Sequence, residues 1–137
     1  MNRRDFQELS NVRLKEARAL LAGGHWDGAY YLAGYAVECA LKACIAKGTD
    51  RYAFPDKDKV FKSYTHNFGT LVGVAEIQRA LGAKISQDPT FRRNWEITLE
   101  WSEESRYKRH TATDAQDLVK AIGDRQHGII LWIKQHW

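Results

Sequence analysis

The chain has 137 residues, of which 44% are hydrophobic and 28% charged, and its net charge is +4. These values are typical of one folded soluble domain, which we expect to span residues 1–137. The polar N-terminus lacks the apolar core of a secretory signal, and no stretch is apolar and long enough to span a membrane. We therefore expect a cytoplasmic protein without a membrane partner. The mildly basic charge permits nucleic-acid binding but does not require it.

The two cysteines, Cys39 and Cys44, lie five residues apart in one helical pattern. They should point to different faces, so a disulfide between them is not expected. No histidine or cysteine stands at metal-finger spacing from them. We expect buried free thiols, and neither a metal nor another cofactor.

Helical periodicity dominates and predicts an all-α fold, an antiparallel up-and-down bundle of four or five helices. The first helix is predicted over residues 5–22, with Arg13 inside its apolar stripe and Gly23–Gly24 ending it. The second helix is predicted from an N-cap at Asp27 to about Ala46. It is apolar around nearly its whole circumference, which is typical of a central helix.

Residues 47–64 are polar and charged, and we predict a surface loop there. A third helix is predicted over residues 67–81, stopped by Gly82. A fourth should begin at the Asp88–Pro89 cap and extend to about Trp101. The last should follow a capping box formed by Thr113 and Gln116 and continue to the C-terminus.

One narrow polar strip interrupts the apolar surface of the second helix: Tyr31, Tyr35, Glu38 and Lys42. Glu38 and Lys42 form an i,i+4 pair in the favourable orientation. An uncompensated buried charge is strongly destabilising. We therefore hypothesise a structural polar cluster in which Arg13 or Lys42 neutralises Glu38, within the bundle or at a dimer interface.

Several segments in order resemble the HEPN superfamily, the higher eukaryote and prokaryote nucleotide-binding domain. They are Glu16–Ala17, Leu20–Leu21, Trp26–Ala29, Gly34–Ala43, His66–Phe68 with Leu71, Trp101 and Arg106–Tyr107. The resemblance implies a helical bundle that is usually a homodimer and works near nucleotides or RNA. Many relatives act beside a partner nucleotidyltransferase, often in toxin–antitoxin or defence systems. Catalytic members are metal-independent ribonucleases with an Arg and a His separated by four to six residues, facing a second copy across the dimer.

The residues of this chain that come nearest to that catalytic motif are Arg106 and His110, but only three residues separate them. Metal-free RNA cleavage needs a base for the 2′-hydroxyl proton and a fixed cation for the phosphate charge. His110 could act as the base, with Arg106 or Arg109 as the cation. In the alternative interpretation, Arg106 pairs with Glu103 or Glu104 and His110 is solvated.

A third interpretation is phosphate binding without cleavage. Lys108 and Arg109 would supply cations and Tyr107 a ring for stacking. Lys42 and His66 are further candidates for nucleotide or phosphate binding, although His66 also suits a helix cap.

The off-length motif favours a non-enzymatic module that binds a nucleotide, RNA or a partner nucleotidyltransferase as a homodimer. The alternative is a HEPN ribonuclease of the toxin or defence type that uses Arg106 and His110. A purely structural bundle without a ligand is the weakest of the three hypotheses.

Overall fold

The computed structural model describes residues 1–49, 54 and 56–137. Over these residues the chain folds into α-helices and one short 3₁₀ turn, without a β-strand, which confirms the predicted all-α bundle. The helices are α1 (Arg3–Ala22), α2 (Trp26–Lys47), α3 (Lys57–Ser63), α4 (Phe68–Val74), α5 (Gln78–Gln87), α6 (Pro89–Leu99), α7 (Ala112–Gly123) and α8 (Ile129–Ile133). The 3₁₀ turn, Glu103–Tyr107, lies between α6 and α7.

Helix α1 begins two residues earlier than predicted because Asn2 caps it. The Asn2 side chain accepts the backbone N–H of Asp5, and the Asp5 carboxylate accepts the backbone N–H of Asn2. This reciprocal capping satisfies two backbone donors at the helix start. At the other end the chain reverses through Gly24, whose φ of 80° lies in the left-handed region that favours glycine.

Helix α2 is the central helix, as predicted. It packs against α1, α4, α7, α8 and the 3₁₀ turn. Ser10 of α1 donates to the carbonyl of Ala36, and Leu20 lies against Gly28, so the two long helices run antiparallel. Five alanines of α2 are completely buried, and their small side chains allow neighbouring helices to approach closely: Ala29, Ala33, Ala36, Ala40 and Ala43.

The predicted N-cap of α2 is wrong. The helix begins at Trp26, and His25 occupies the cap position without a side-chain hydrogen bond. Asp27 lies inside the first turn, where its carboxylate accepts the backbone N–H of His110. The Asp27 carboxylate oxygen thus accepts a hydrogen bond from a distant part of the chain, and not from a backbone N–H at the start of α2.

The predicted surface loop over residues 47–64 contains a helix, α3. Asp56 caps it by accepting the backbone N–H groups of Asp58 and Lys59. Because α3 buries none of its residues, it has no apolar stripe from which it could have been predicted. Residues 50–53 and 55 of the predicted loop lie outside the described part of the chain.

The predicted third helix is two helices. Helix α4 closes where Glu76 and Ile77 donate backbone hydrogen bonds to Gly73 and Val72, and Glu76 adopts a φ of 61°. Helix α5 then begins and continues through Gly82, which does not stop it. Asp88 caps α6 as predicted, and α6 ends at Leu99, two residues before Trp101.

The predicted last helix is also broken in two. Helix α7 is capped by Thr111 and Asp114, two residues before the predicted capping box. It ends at Gly123, after which Asp124 accepts the backbone N–H groups of Gln126 and His127 at 2.8 and 2.7 Å. These bonds form a turn that separates α7 from α8.

Both cysteines are buried free thiols, as predicted. Burial raises the pKa of Cys39 and that of Cys44 to about 11. None of the helices in the described part of the chain is long and apolar enough to cross a membrane.

Candidate functional site

A line of four ionisable side chains connects α2, the start of α4 and the 3₁₀ turn. Glu38 on α2 is 2% exposed, and its carboxylate accepts a hydrogen bond from Lys42 Nζ at 2.9 Å. His66 Nδ1 lies 2.8 Å from Oε1 and 2.9 Å from Oε2 of the same carboxylate. On the other side of the imidazole, Nε2 lies 3.0 Å from Oε2 of Glu103. We call Lys42, Glu38, His66 and Glu103 the Glu38 cluster.

Of the two cations proposed for Glu38, the structure places Lys42 beside it and Arg13 elsewhere. Arg13 pairs with Glu16 on its own helix at 2.7 Å, and its guanidinium lies 5.8 Å from the ring centroid of Tyr35. Arg13 therefore has a carboxylate partner on its own helix and an aromatic partner on α2, and it does not pair with Glu38. The sequence reasoning missed Glu103 as a member of the cluster.

His66 is held in place by the start of α4. Asn67 caps this helix by accepting the backbone N–H of Thr70 at 2.9 Å, so His66 stands immediately before a fixed turn. Phe68, the next residue, stacks on Trp101 with ring centroids 5.1 Å apart. His66 and Glu103 then line a cleft of about 310 Å³ together with Thr65, Leu99 and Trp101, among others.

Both ring nitrogens of His66 face carboxylates. Nδ1 lies 2.8 Å from Oε1 of Glu38, and Nε2 lies 3.0 Å from Oε2 of Glu103. Carboxylate oxygens accept hydrogen bonds and do not donate them. The Glu38 cluster therefore alternates basic and acidic side chains from Lys42 to Glu103.

Arg106 and Tyr107 form an exposed pair on the 3₁₀ turn. The guanidinium of Arg106 lies 4.8 Å from the ring centroid of Tyr107, whose side chain is 78% exposed. The phenol of Tyr107, followed by that of Tyr31, raises the pKa of Arg106 above its ordinary value. In the described part of the chain no ion pair joins Arg106 to Glu103 or Glu104, so the carboxylate pairing considered from the sequence is not made.

His110 is packed against α2 and is not simply solvated. Its ring stacks on Tyr30, with centroids 3.8 Å apart and planes 10° from parallel. Nε2 lies 3.3 Å from the carbonyl oxygen of Ser105, and the backbone N–H is bonded to Asp27. Over the described residues, no hydrogen bond or ion pair joins His110 to Arg106.

Two clefts meet at His110. One, of about 380 Å³, is lined by His25, Asp27 and Arg109 among others, and the second, of about 500 Å³, by Tyr30 and Lys108 among others. The two basic side chains thus lie on either side of the packed histidine. Lys42 and His66, the remaining candidates for phosphate binding, belong to the Glu38 cluster.

A second carboxylate–histidine pair was missed from the sequence. His127 Nδ1 lies 2.7 Å from Oδ2 of Asp88, and Lys84 Nζ lies 3.2 Å from the same oxygen. Asn94 also donates to the carbonyl of His127 at 2.9 Å. The hydrogen bonds from His127 and from the backbone N–H of Phe91 hold the pKa of Asp88 well below its ordinary value. These contacts join the turn between α7 and α8 to the junction of α5 and α6.

No group of three or more His, Cys, Asp or Glu side chains is arranged to hold a metal ion among the residues that the structure describes. The carboxylates of Glu38, Glu103 and Asp88 are instead paired with histidines and lysines.

The fold and the polar residues define the class of protein: an all-α bundle with a buried, ion-paired glutamate on its central helix and a basic turn before its last two helices. The family model described as the HEPN domain matches residues 5–133, nearly the whole chain. The chain therefore belongs to the HEPN family, which confirms the resemblance. Neither the curated proteins nor the solved structures contain a significant match.

Proposed function

We propose that this HEPN chain is a non-enzymatic module that binds the phosphate groups of a nucleotide or of RNA, and that it does so as a homodimer. The observation that carries the proposal is the arrangement around His110. Its ring is stacked on Tyr30, while Lys108 and Arg109 on either side of it are exposed and line two clefts. The histidine serves as an anchor, and the cations beside it are available to a ligand.

The segment from Arg106 to Arg109 has the composition that phosphate binding requires. It carries three cations within four residues, and none of the three forms an ion pair with a carboxylate in the described part of the chain. Tyr107 adds an exposed ring. Cations neutralise phosphates, and aromatic rings stack on bases with about 1–3 kcal/mol per base.

The same geometry argues against cleavage. A general base and its cation must reach one phosphodiester together. Arg106 lies on Tyr107, and His110 lies under Tyr30, so each has its own partners. The interval of three residues between them is also shorter than in the ribonucleases that the chain resembles. These features support binding over catalysis by Arg106 and His110.

The homodimer and a partner nucleotidyltransferase are proposed from family membership. Exposed apolar side chains supply area that a second protein chain could cover, including Val12 at 45%, Leu99 at 49% and Leu131 at 42% exposure. Analytical ultracentrifugation over a range of concentrations tests the homodimer. A monomer at all concentrations would contradict that part of the proposal.

The binding proposal is tested by fluorescence anisotropy with a labelled single-stranded RNA in EDTA over a range of salt concentrations. Lys108→Ala/Arg109→Ala should weaken binding at least about tenfold at low salt and lower the salt slope by about 1.4, which is the loss of two phosphate contacts. The matched control, Lys15→Ala/Arg79→Ala, removes the same charges from exposed positions on α1 and α5.

Three outcomes would contradict the proposal. The first is that the wild-type protein does not bind RNA or nucleotide. The second is that the control variant loses as much affinity as the test variant. The third is cleavage of the RNA in EDTA that disappears in His110→Ala, which would establish the ribonuclease alternative.

A further inference from the structure

We propose that Glu103 occupies a phosphate position on His66, and that a bound ligand displaces it. This inference rests on the proposed function, because it assigns a phosphate subsite and its regulation to the same face of the molecule. The imidazole ring of His66 lies between two carboxylates, with Nδ1 beside Glu38 and Nε2 beside Glu103. A carboxylate of the protein itself thus occupies a donor that could bind an anion.

The two carboxylates beside His66 differ in exposure and in the number of their partners. The Glu38 side chain is 3% exposed and is also bonded to Lys42. The Glu103 side chain is 48% exposed, and its carboxylate lies against the imidazole of His66. Exposed ion pairs contribute little to stability because water and salt screen them. Glu103 can therefore leave His66 easily, whereas Glu38 stays and keeps the ring oriented.

The charge balance of the Glu38 cluster favours an anion once Glu103 has moved away. With Glu103 in place, two carboxylates lie beside the basic side chains of Lys42 and His66. Without it, Glu38 is the one carboxylate left in the Glu38 cluster, and His66 lines a cleft of about 310 Å³. Phosphate oxygens accept hydrogen bonds as carboxylate oxygens do, and a phosphate group has more acceptor oxygens than a carboxylate.

The backbone around Glu103 allows its side chain to move alone. Ser102 and Ser105 hold the start of the 3₁₀ turn, since Ser105 N–H donates to the carbonyl of Ser102 at 3.0 Å and Ser102 N–H donates to Ser105 Oγ at 3.3 Å. Neither bond involves the Glu103 side chain. The same turn continues into Arg106 and Tyr107. The proposed phosphate position on His66 therefore adjoins the segment from Arg106 to Arg109 that is proposed to bind RNA.

The test compares Glu103→Gln with Glu104→Gln. The two variants lose the same charge from neighbouring positions on one turn, and the Glu104 side chain makes no hydrogen bond or ion pair over the described residues. We expect Glu103→Gln to bind labelled single-stranded RNA about fivefold more tightly than wild type, the upper range for losing one exposed ion pair. Glu104→Gln should change the affinity by no more than about 1.5-fold, because salt screens its charge. Adding His66→Gln to Glu103→Gln should abolish the gain.

A second readout follows His66 directly. The ¹⁵N shift of Nε2 is measured by NMR while inorganic phosphate is added to wild type and to Glu103→Gln. We expect the shift to respond at several-fold lower phosphate in Glu103→Gln. An equal response in both proteins, or equal tightening of RNA binding by both glutamine variants, would overturn the inference.

The two readouts separate this inference from the proposed function. If the Lys108/Arg109 variant loses RNA binding and Glu103→Gln behaves like Glu104→Gln, the proposed function stands. The inference that Glu103 blocks a phosphate position on His66 is then wrong. If no variant binds RNA, the proposed function fails, and the phosphate titration of His66 still decides whether Glu103 competes with an anion.

Discussion

The indole ring of Trp101 lies so close to the backbone of Gly34 that a Cβ atom at position 34 would overlap it. Trp101 is 5% exposed and also stacks on Phe68 and on Tyr31, with centroid distances of 5.1 and 6.0 Å. Its Nε1–H is buried and has no hydrogen-bond partner over the described residues. Packing alone therefore holds Trp101 on α2, and with it the turn that carries Glu103.

Gly34→Ala should destabilise the protein by about 1–3 kcal/mol, the usual cost of overfilling a packed core. Urea unfolding followed by circular dichroism measures this change. The control is Gly82→Ala in α5, where an added Cβ would meet nothing within 4 Å. That substitution should stabilise the protein by about 0.5–1 kcal/mol, because alanine favours the helix. Equal stability of Gly34→Ala and wild type would show that Trp101 does not pack as described.

Glu38→Gln should destabilise the protein by about 3 kcal/mol, since it leaves Lys42 and His66 facing each other without the buried anion between them. Because the side chains of Lys42 and His66 are partly exposed, we expect the lower end of the range for broken buried pairs. Glu16→Gln, which breaks the more exposed pair with Arg13, should cost no more than about 1 kcal/mol. Thermal unfolding of both variants checks the difference, and similar losses would mean that Glu38 has no special structural role.

Asp88 should make stability depend on acid pH. Its pKa is lower in the folded protein than its ordinary value of 3.8, because His127 and the backbone N–H of Phe91 donate to the carboxylate. The stability that it contributes is therefore present above its unfolded pKa and is lost as pH falls through the folded pKa. Asp88→Asn keeps a residue that can cap α6 but removes the charge.

The urea midpoint of Asp88→Asn should be lower than that of wild type at pH 7, and the two should converge between about pH 4 and pH 2. Asp117→Asn controls for the loss of one negative charge from the surface. A constant difference between Asp88→Asn and wild type across this pH range would contradict the assigned origin of the low pKa.

The two thiols should be almost inert in the folded protein. With a pKa of about 11, each is ionised to roughly one part in a thousand at pH 8, and the thiolate is the reactive form. We expect Ellman's reagent to react at least about 100-fold more slowly with the native protein than with the protein in urea. Rapid labelling of Cys39 or Cys44 at neutral pH would show that α2 is less buried than described.

Where the helices lie could be predicted more reliably than where they break. The Asp88–Pro89 cap and the apolar surface of α2 are local signals, and both predictions are confirmed. The apolar residues of 67–81, and those of the segment after Thr113, stay in register across the break, so their spacing predicts one helix in each segment. Ile129, Ile130 and Ile133 are buried like the apolar residues of α7, so the periodicity reports burial and not continuity of the backbone.

For the candidate site, the sequence by itself determined only the contacts between residues on the same helix. Glu38 and Lys42 are four residues apart on α2, so helix geometry alone brings them together. His66 and Glu103 join them only because α4 and the 3₁₀ turn pack on α2, and the spacing of these residues along the chain does not encode that contact. In the same way the sequence placed Arg106 and His110 close together, and the tertiary packing of His110 on Tyr30 gave each its own partners.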